Sequence, residues 1–291
     1  FLEGGAPTLW SNGARREGDP PELGPVVARS SFALVDAFEV DGDGWGLTPD
    51  LMLLPLRRLR PIEPSGFHGV RIAKDVLATG SGEESLGDGG HDVRSLPLGF
   101  VMERHAQLFA GSPETWLARR RKLQYREAVS LTGKRARIGG QYYLETIDGH
   151  WLNEAVKTVR VDARSAPHWA KPGRTWIDVS VANQTLVAYV GAEPVFATLV
   201  STGRDGIGDP ETTHSTILGE FLIHTKHVTD AMSNDEEGDV YDHQDVPYVQ
   251  FFKDGYALHA AYWHDAFGTP RSHGCINLSP LDAHFLFEWS D

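Results

Sequence analysis

Apolar and polar residues alternate with a period of two along much of the chain, the pattern of half-buried strands, while helical spacing is almost absent until the last dozen residues. Trp176-Ile177-Asp178-Val179-Ser180-Val181 alternates strictly. Gln184 to Val190 forms a second run, and Pro194 to Ser201 a third after a Gly191-Ala192-Glu193 turn. Three runs at hairpin spacing predict the start of a mainly antiparallel sheet. Short apolar runs between Ser30 and Leu59, broken by Asp41-Gly42-Asp43-Gly44 and Thr48-Pro49-Asp50, predict small strands joined by turns. A second strand-rich stretch runs from Leu96 to Val161. Near the C-terminal end, Ser279-Pro280-Leu281-Asp282 reads as an N-cap, a proline at N1 and an acid at N3. Leu281, Ala283, Phe285, Leu286, Phe287 and Trp289 then supply a helix whose aromatic stripe packs on the sheet.

The predicted fold is therefore mainly β, with a β-sandwich-like sheet and a short C-terminal helix in the last part. Breaks in the pattern divide the chain into an extended arm at 1–24, a module at 25–62, a turn-rich linker at 63–95, a second module at 96–165, and a last domain at 166–291. Ser165-Ala166-Pro167 and Lys171-Pro172-Gly173 mark the final boundary. Asp43-Gly44-Trp45-Gly46-Leu47 is echoed by Asp148-Gly149-His150-Trp151-Leu152, each a turn followed by an aromatic residue and a strand. On that echo both modules are expected to be small SH3-like β-barrels.

Composition narrows the function. The 291 residues carry a formal net charge of −13 and 41% hydrophobic residues, which fits a globular protein and argues against a nucleic-acid partner, since phosphate binding rests on clustered Lys and Arg. No apolar run reaches the roughly 18 residues needed to cross a bilayer, and the opening Phe1-Leu2-Glu3-Gly4-Gly5 lacks the features of a signal peptide. Asp41-x-Asp43 with Gly46 has Trp45 and Met52 where a calcium loop needs oxygen ligands, so it reads as a turn. Gly203, Gly206 and Gly208 lack dinucleotide or phosphate-loop spacing. Among the 13 histidines, His224, His227, His243, His259, His264 and His273 crowd together, yet no zinc-ligand spacing appears, and no metal or cofactor is expected.

One cysteine, Cys275, excludes an internal disulfide and is either an inert core residue or a working thiol. It sits in Ser272-His273-Gly274-Cys275-Ile276-Asn277-Leu278. If this segment is extended, His273, Cys275 and Asn277 share a face, with Ser272 and Ile276 opposite. An imidazole beside a thiol is what sulfur nucleophiles require, because a thiol of pKa about 8.5 is only slightly ionised at neutral pH. Gly274 allows close backbone approach, and the Gly274 and Cys275 amides can point at a developing oxyanion. Asn277 can orient the site or hold a substrate amide. Upstream, His259 lies among apolar residues in Tyr256-Ala257-Leu258-His259-Ala260-Ala261-Tyr262-Trp263-His264 and reads either as a satisfied buried histidine or as a substrate binder.

Ser-His-Gly-Cys-Ile-Asn at 272–277, with the strand ending near His259 and with Gly219-Glu220-Phe221-Leu222-Ile223, resembles the L,D-transpeptidase (YkuD-type) catalytic domain over about 174–291. The resemblance implies a β-rich catalytic fold, an export location in the periplasm or cell envelope, and acyl transfer on peptidoglycan stem peptides. Cys275 is then the nucleophile, His273 the general base and His259 a substrate-side histidine. The Ala260 carbonyl orients His273, the Gly274 and Cys275 amides form the oxyanion hole, and Ser272 and Asn277 complete the surround. Tyr248, Tyr262, His264 and Arg271 are further substrate-side candidates, His264 competing with His259. Thr216-Ile217-Leu218-Gly219 replaces the family's Thr-Pro-x-Gly, and Asn277 stands where an Arg is usual.

The implied chemistry is attack of Cys275 on the carbonyl preceding the terminal D-Ala of a tetrapeptide stem, a thioester, and transfer to an acceptor amine to give a 3→3 cross-link, or to water. Carbapenems are expected as covalent inhibitors, and the amino-terminal modules as wall contacts. The acidic run Asn234-Asp235-Glu236-Glu237-Gly238-Asp239 reads as a solvated loop or as a lid attracting a cationic acceptor. A Cys peptidase or amidase and a catalytically silent wall-binding protein are the competing readings.

Overall fold

The computed structural model describes residues 8–11, 22–26, 30–73, 92–112, 116–234 and 240–290. Five short strands, β1 (Thr8–Ser11), β2 (Glu22–Pro25), β3 (Asp36–Val40), β4 (Asp43–Leu47) and β5 (Met52–Pro55), form one antiparallel sheet in the order β2-β1-β5-β4-β3. Asp41 and Gly42 turn β3 into β4, both at positive φ, as the Asp-Gly pair requires. The predicted arm at 1–24 is thus not separate. It supplies β1 and most of β2, because β1 pairs with β5 through Trp10 and Leu53.

The predicted linker at 63–95 is also partly built into the fold. Its strands β6 (Val70–Ile72) and β7 (Val93–Arg94) complete a five-stranded sheet with β15 (Thr175–Ser180), β16 (Thr185–Val190) and β17 (Glu193–Leu199), in the order β15-β16-β17-β6-β7. Gly69 makes the approach possible, since a Cβ there would lie 2.4 Å from the Ala197 carbonyl oxygen. Its N–H donates to Asp282 Oδ1 at 2.8 Å.

Between them, β8 (Leu98–Val101), β9 (Gln107–Ser112), β10 (Trp116–Lys122), β11 (Ala128–Ile138), β12 (Gln141–Thr146), β13 (Trp151–Asn153) and β14 (Thr158–Val161) make a seven-stranded antiparallel sheet, order β10-β9-β13-β12-β11-β8-β14. A four-stranded sheet follows: β18 (Thr225–Asn234), β19 (Tyr241–Lys253), β20 (Tyr256–Ala260) and β21 (Ile276–Leu278), with only β20 and β21 parallel. The helix α1 (Pro280–Trp289) closes the described chain, its Ser279 side chain accepting from the Asp282 N–H as the capping pattern predicts.

The period of two in β16 explains the layering. Leu186 and Ala188 face one core, with Phe196, Leu258, Ala260, Ile276, Leu278, Ala283 and Leu286. Val187 and Tyr189 face the other, with Leu98, Phe100, Ala128 and Val161 from the 96–165 stretch. A strand buried on both faces reads as a continuous apolar run, which is what Leu186 to Val190 is. The 96–165 stretch therefore shares its core with the last domain. A polar node strengthens the joint: Asp265 accepts from Ser65 Oγ at 2.5 Å and from Arg126 at 2.6 Å. Among the described residues no helix is long and apolar enough to cross a membrane.

Candidate active site

β21 is pinned on both edges. It pairs with β20 through Leu258–Ile276, His259–Asn277 and Ala260–Leu278, and Asn277 also exchanges backbone hydrogen bonds with Ser201. Immediately before it, Ser272 to Cys275 makes a turn and not the extended run the sequence suggested. Gly274 adopts φ +124°, and a Cβ there would sit 2.6 Å from the Tyr256 ring. Only glycine fits both conditions. Three hydroxyl contacts fasten the turn. Thr216 Oγ1 donates to the Gly274 carbonyl at 2.6 Å, Ser272 Oγ donates to the Cys275 carbonyl at 2.5 Å, and the Gly274 N–H donates to Ser272 Oγ at 3.1 Å.

The turn presents Cys275 and His273 to one cleft of about 420 Å³, lined also by Thr213, His214, Met232, Asn234, Tyr241 and Tyr256. A second groove of about 910 Å³ runs along β15 and the 216–223 segment, and neither Cys275 nor His273 lines it. The half-buried thiol donates to the Gly255 carbonyl at 3.5 Å. Burial pushes it up to about 11, opposed by the Ala257 N–H, which favours the thiolate. The Cys275 N–H has no hydrogen bond among the described residues, so it is available to an oxyanion. The Gly274 amide is engaged by Ser272, which corrects the expectation of a two-amide oxyanion hole.

His273 is held differently from the sequence expectation. Its Nε2 lies 3.1 Å from Arg204 Nη1, its ring meets His214 edge to face at 4.8 Å, and the Tyr241 ring packs against it at 5.0 Å. The Ala260 carbonyl does not orient it. That oxygen accepts from His259 Nδ1 at 3.0 Å, one residue away on the same strand. His259 itself is 3% exposed and drawn down to about 4 by burial, so it is a neutral core histidine and not a cleft residue.

The other substrate-side candidates also lie outside the cleft lining. Tyr248 stacks on His284 and packs against Phe287 of α1. The Tyr262 hydroxyl donates to the Gln244 carbonyl and meets Ser31 Oγ, both at 2.8 Å. Arg271 is exposed, its backbone tied to Thr202. Asn277 is buried with its amide 3.1 Å from His264 Nε2. His264 Nδ1 accepts from the Ala266 N–H, so Nε2 carries the proton. The Asn277 oxygen has no hydrogen-bond partner among the described residues. Ser272 keeps a role, as the staple of the turn.

Arg204, His214, Tyr241 and Gly255 were not singled out from sequence. Arg204 and His214 flank the loop that carries Gly206 and Gly208, whose visible signal was a cation directly after Gly203. Among the described residues no group of three or more metal-ligating side chains occurs. Asp235 to Asp239 of the acidic run lie outside the described residues. Its flanks belong to β18 and β19, antiparallel strands of 10 and 13 residues.

Residues 174–291 match the model of the YkuD family, the L,D-transpeptidase catalytic domain. Over 171 residues the chain is 25% identical to YciB of Bacillus subtilis (strain 168), a candidate L,D-transpeptidase, covering 46% of this chain and 76% of YciB. A crystal structure of an Enterococcus faecium L,D-transpeptidase mutant is similar at 23% identity and a TM-score of 0.35, over 41% of this chain and 47% of that one. This chain therefore spans about half the length of that solved relative. The catalytic domain of E. faecium L,D-transpeptidase acylated by ertapenem is similar at 23% identity and a TM-score of 0.34, over 42% and 93%.

Proposed function

We propose that this protein is a peptidoglycan L,D-transpeptidase in which Cys275 is the nucleophile and His273 the general base. The observation that carries the reading is the shared cleft: the chain's one thiol and one imidazole of the same turn line it together, with no hydrogen bond made by the Cys275 N–H among the described residues. The family match of residues 174–291 supports the reaction class.

In this reading the thiol turns from the Gly255 carbonyl toward His273, which takes its proton. The thiolate attacks the carbonyl between the third residue of a tetrapeptide stem and its terminal D-Ala, and the Cys275 N–H donates to the oxyanion. Collapse breaks the peptide bond, the proton on His273 passes to the departing amine, and a thioester remains. An acceptor amine then attacks, giving its proton to His273, and the thiolate leaves with a 3→3 cross-link formed. Water in place of the amine gives a trimmed tripeptide. The substrate sets the location, in the cell envelope, and the amino-terminal sheets are free to contact the wall. A carbapenem carries a strained acyl group open to the same attack, and an ertapenem adduct is known in the E. faecium relative.

The test is incubation with purified muropeptides followed by mass spectrometry, wild type against Cys275→Ala. A 3→3 dimer absent from the variant supports the proposal. A tripeptide alone makes the protein a carboxypeptidase, and no product makes it a silent wall-binding protein. Meropenem should add one adduct mass to the wild type, and an adduct surviving in Cys275→Ala removes Cys275 from its role.

A further inference from the structure

The net charge of −13 is unevenly spread along the chain. Residues 166–291 carry six Lys or Arg against eighteen Asp or Glu, a net −12, whereas residues 96–165 carry twelve against seven, a net +5. Four of those twelve are consecutive, Arg119-Arg120-Arg121-Lys122, at the end of β10. β10 pairs only with β9 and is the outer strand of its seven-stranded sheet, so the four exposed cations line an open edge.

Their directions follow from the register. Arg119 stands opposite Phe109, Arg121 opposite Leu108 and Lys122 opposite Gln107, with a shift in the ladder that leaves Arg120 without an opposite residue. Paired residues share a face of the sheet, and the neighbours Phe109 and Leu108 point to opposite faces. Arg119 and Lys122 therefore go to one face, Arg121 to the other, and Arg120 sits at the bulge. Glu127 takes Arg121, its two oxygens 3.1 Å and 2.6 Å from Nη1 and Nη2. Arg119, Arg120 and Lys122 have no carboxylate partner among the described residues. Beyond the strand the Leu123 N–H donates to the Ala106 carbonyl at 2.8 Å, and the Arg104 guanidinium lies 5.6 Å from the centre of the Tyr125 ring, which extends the stripe. It ends at the joint with the last domain, where Arg126 meets Asp265. A bulge or a single charge is enough to protect an edge strand from pairing. Three unpartnered cations beside a bulge exceed that need.

We propose that the β10 edge is a docking site for a linear phosphodiester polymer of the cell envelope, which runs along the strand with its phosphates held by Arg119, Arg120 and Lys122. At about 3.3 Å per residue the four positions span roughly 13 Å, room for more than one phosphate, and arginine meets phosphate with paired, charge-assisted hydrogen bonds. A flat lipid surface can touch one face of a sheet edge, whereas cations on both faces suit a chain that follows the edge. A single-stranded nucleic acid needs rings on which its bases stack. Tyr125, 38% exposed at the end of the stripe, already carries the guanidinium groups of Arg104 and Arg126 at 5.6 Å and 5.0 Å. The charge of the last domain repels an anionic wall, and the edge supplies the opposing attraction. No step of catalysis enters, so the docking site stands whether or not Cys275 is a transpeptidase nucleophile; only the envelope location is shared with that reading.

The probe is fluorescently labelled poly(glycerol phosphate) freed of its lipid, with binding to the full chain followed by anisotropy across a range of salt concentrations. Wild type should bind, with an affinity that falls steeply as salt rises. Arg119→Gln/Arg120→Gln/Lys122→Gln should lose at least about tenfold and flatten the slope of log K against log salt by about two, three lost contacts at about 0.7 each. Arg119→Lys/Arg120→Lys should keep the wild-type slope. An equal loss in Arg57→Gln/Lys171→Gln/Lys253→Gln, which removes the same charge elsewhere, would mean that net charge alone matters and overturns the proposal, as does the absence of binding by folded wild type. Tighter binding to single-stranded DNA of matched charge, or to phosphatidylglycerol vesicles, assigns the edge to a nucleic acid or a membrane and also overturns it. Cys275→Ala should bind as wild type does, which separates this outcome from the fate of the transpeptidase reading.

Discussion

Thr216 Oγ1 donates to the Gly274 carbonyl at 2.6 Å and accepts the Gly203 N–H at 2.9 Å, joining the isolated bridge residue Gly203 to the turn before Cys275 through one buried hydroxyl. Thr216→Val keeps the shape and removes both bonds, leaving a buried N–H and a buried carbonyl unpaired. We expect a loss of about 2–4 kcal/mol, read by denaturant unfolding, and Thr216→Ser to lose about 1 kcal/mol or less. Equal stability of the valine variant and wild type would show that the hydroxyl does not hold the turn.

Gly274 joins a positive φ to a close approach by Tyr256. Gly274→Ala should therefore lose about 1–3 kcal/mol through backbone strain and push the Tyr256 ring out of the cleft. Tyr256→Ala removes the clash but not the strain. In a double-mutant cycle the pair should couple by at least about 0.5 kcal/mol, and additivity would mean that the ring is not what excludes a side chain here.

How far the site could be read from sequence depends on the range of the interactions that make it. The hairpins of β15 to β17 were legible because their alternation is local, and so was the Ser279 cap of α1. His273 and Cys275 were legible because the turn that brings them together spans only their own segment. His259 is the satisfied buried histidine that its apolar surroundings offered as one of two readings, whereas Asn277 was misplaced because the period of two was extended through Gly274, where the chain turns, and because its partner, His264, lies outside the motif. Arg204 was invisible for the same reason, its partner His273 lying 69 residues away. The arm and linker were misjudged because β1, β2, β6 and β7 are short pieces that become strands only by pairing with distant edges. No local pattern encodes that.

The thiol should be sluggish in the free protein. Burial raises Cys275 to about 11, so iodoacetamide alkylation should climb with pH toward an inflection near that value. The native state holds the proton longer than the unfolded chain, so stability should fall as pH rises from about 9 to about 11, and Cys275→Ser should flatten that fall. An alkylation inflection near neutrality would mean that a thiolate–imidazolium pair already exists without substrate.

Acid stability pits three histidines against one carboxyl. Burial draws His243, His259 and His264 down to about 4, the charges of His259 and His273 adding to the effect on His243 and that of Arg271 on His264. As pH falls from about 6.5 toward 4 the unfolded chain takes up protons that these native rings refuse, so stability is lost. Asp282 works the other way. It is fully buried and raised to about 6 by desolvation, against its bonds from Thr198 and Gly69, so the native state gains a proton first and stability rises as pH falls through the same window. Three groups outweigh one, and Tm should drop between pH 7 and pH 4.5. Asp282→Asn should make the drop steeper, since an amide can still accept from Gly69 and donate to Thr198 while taking up no proton. His264→Gln should make it shallower. A Tm that rises on acidification would mean that these rings are not held neutral, and with them would go the description of His259 as a core residue.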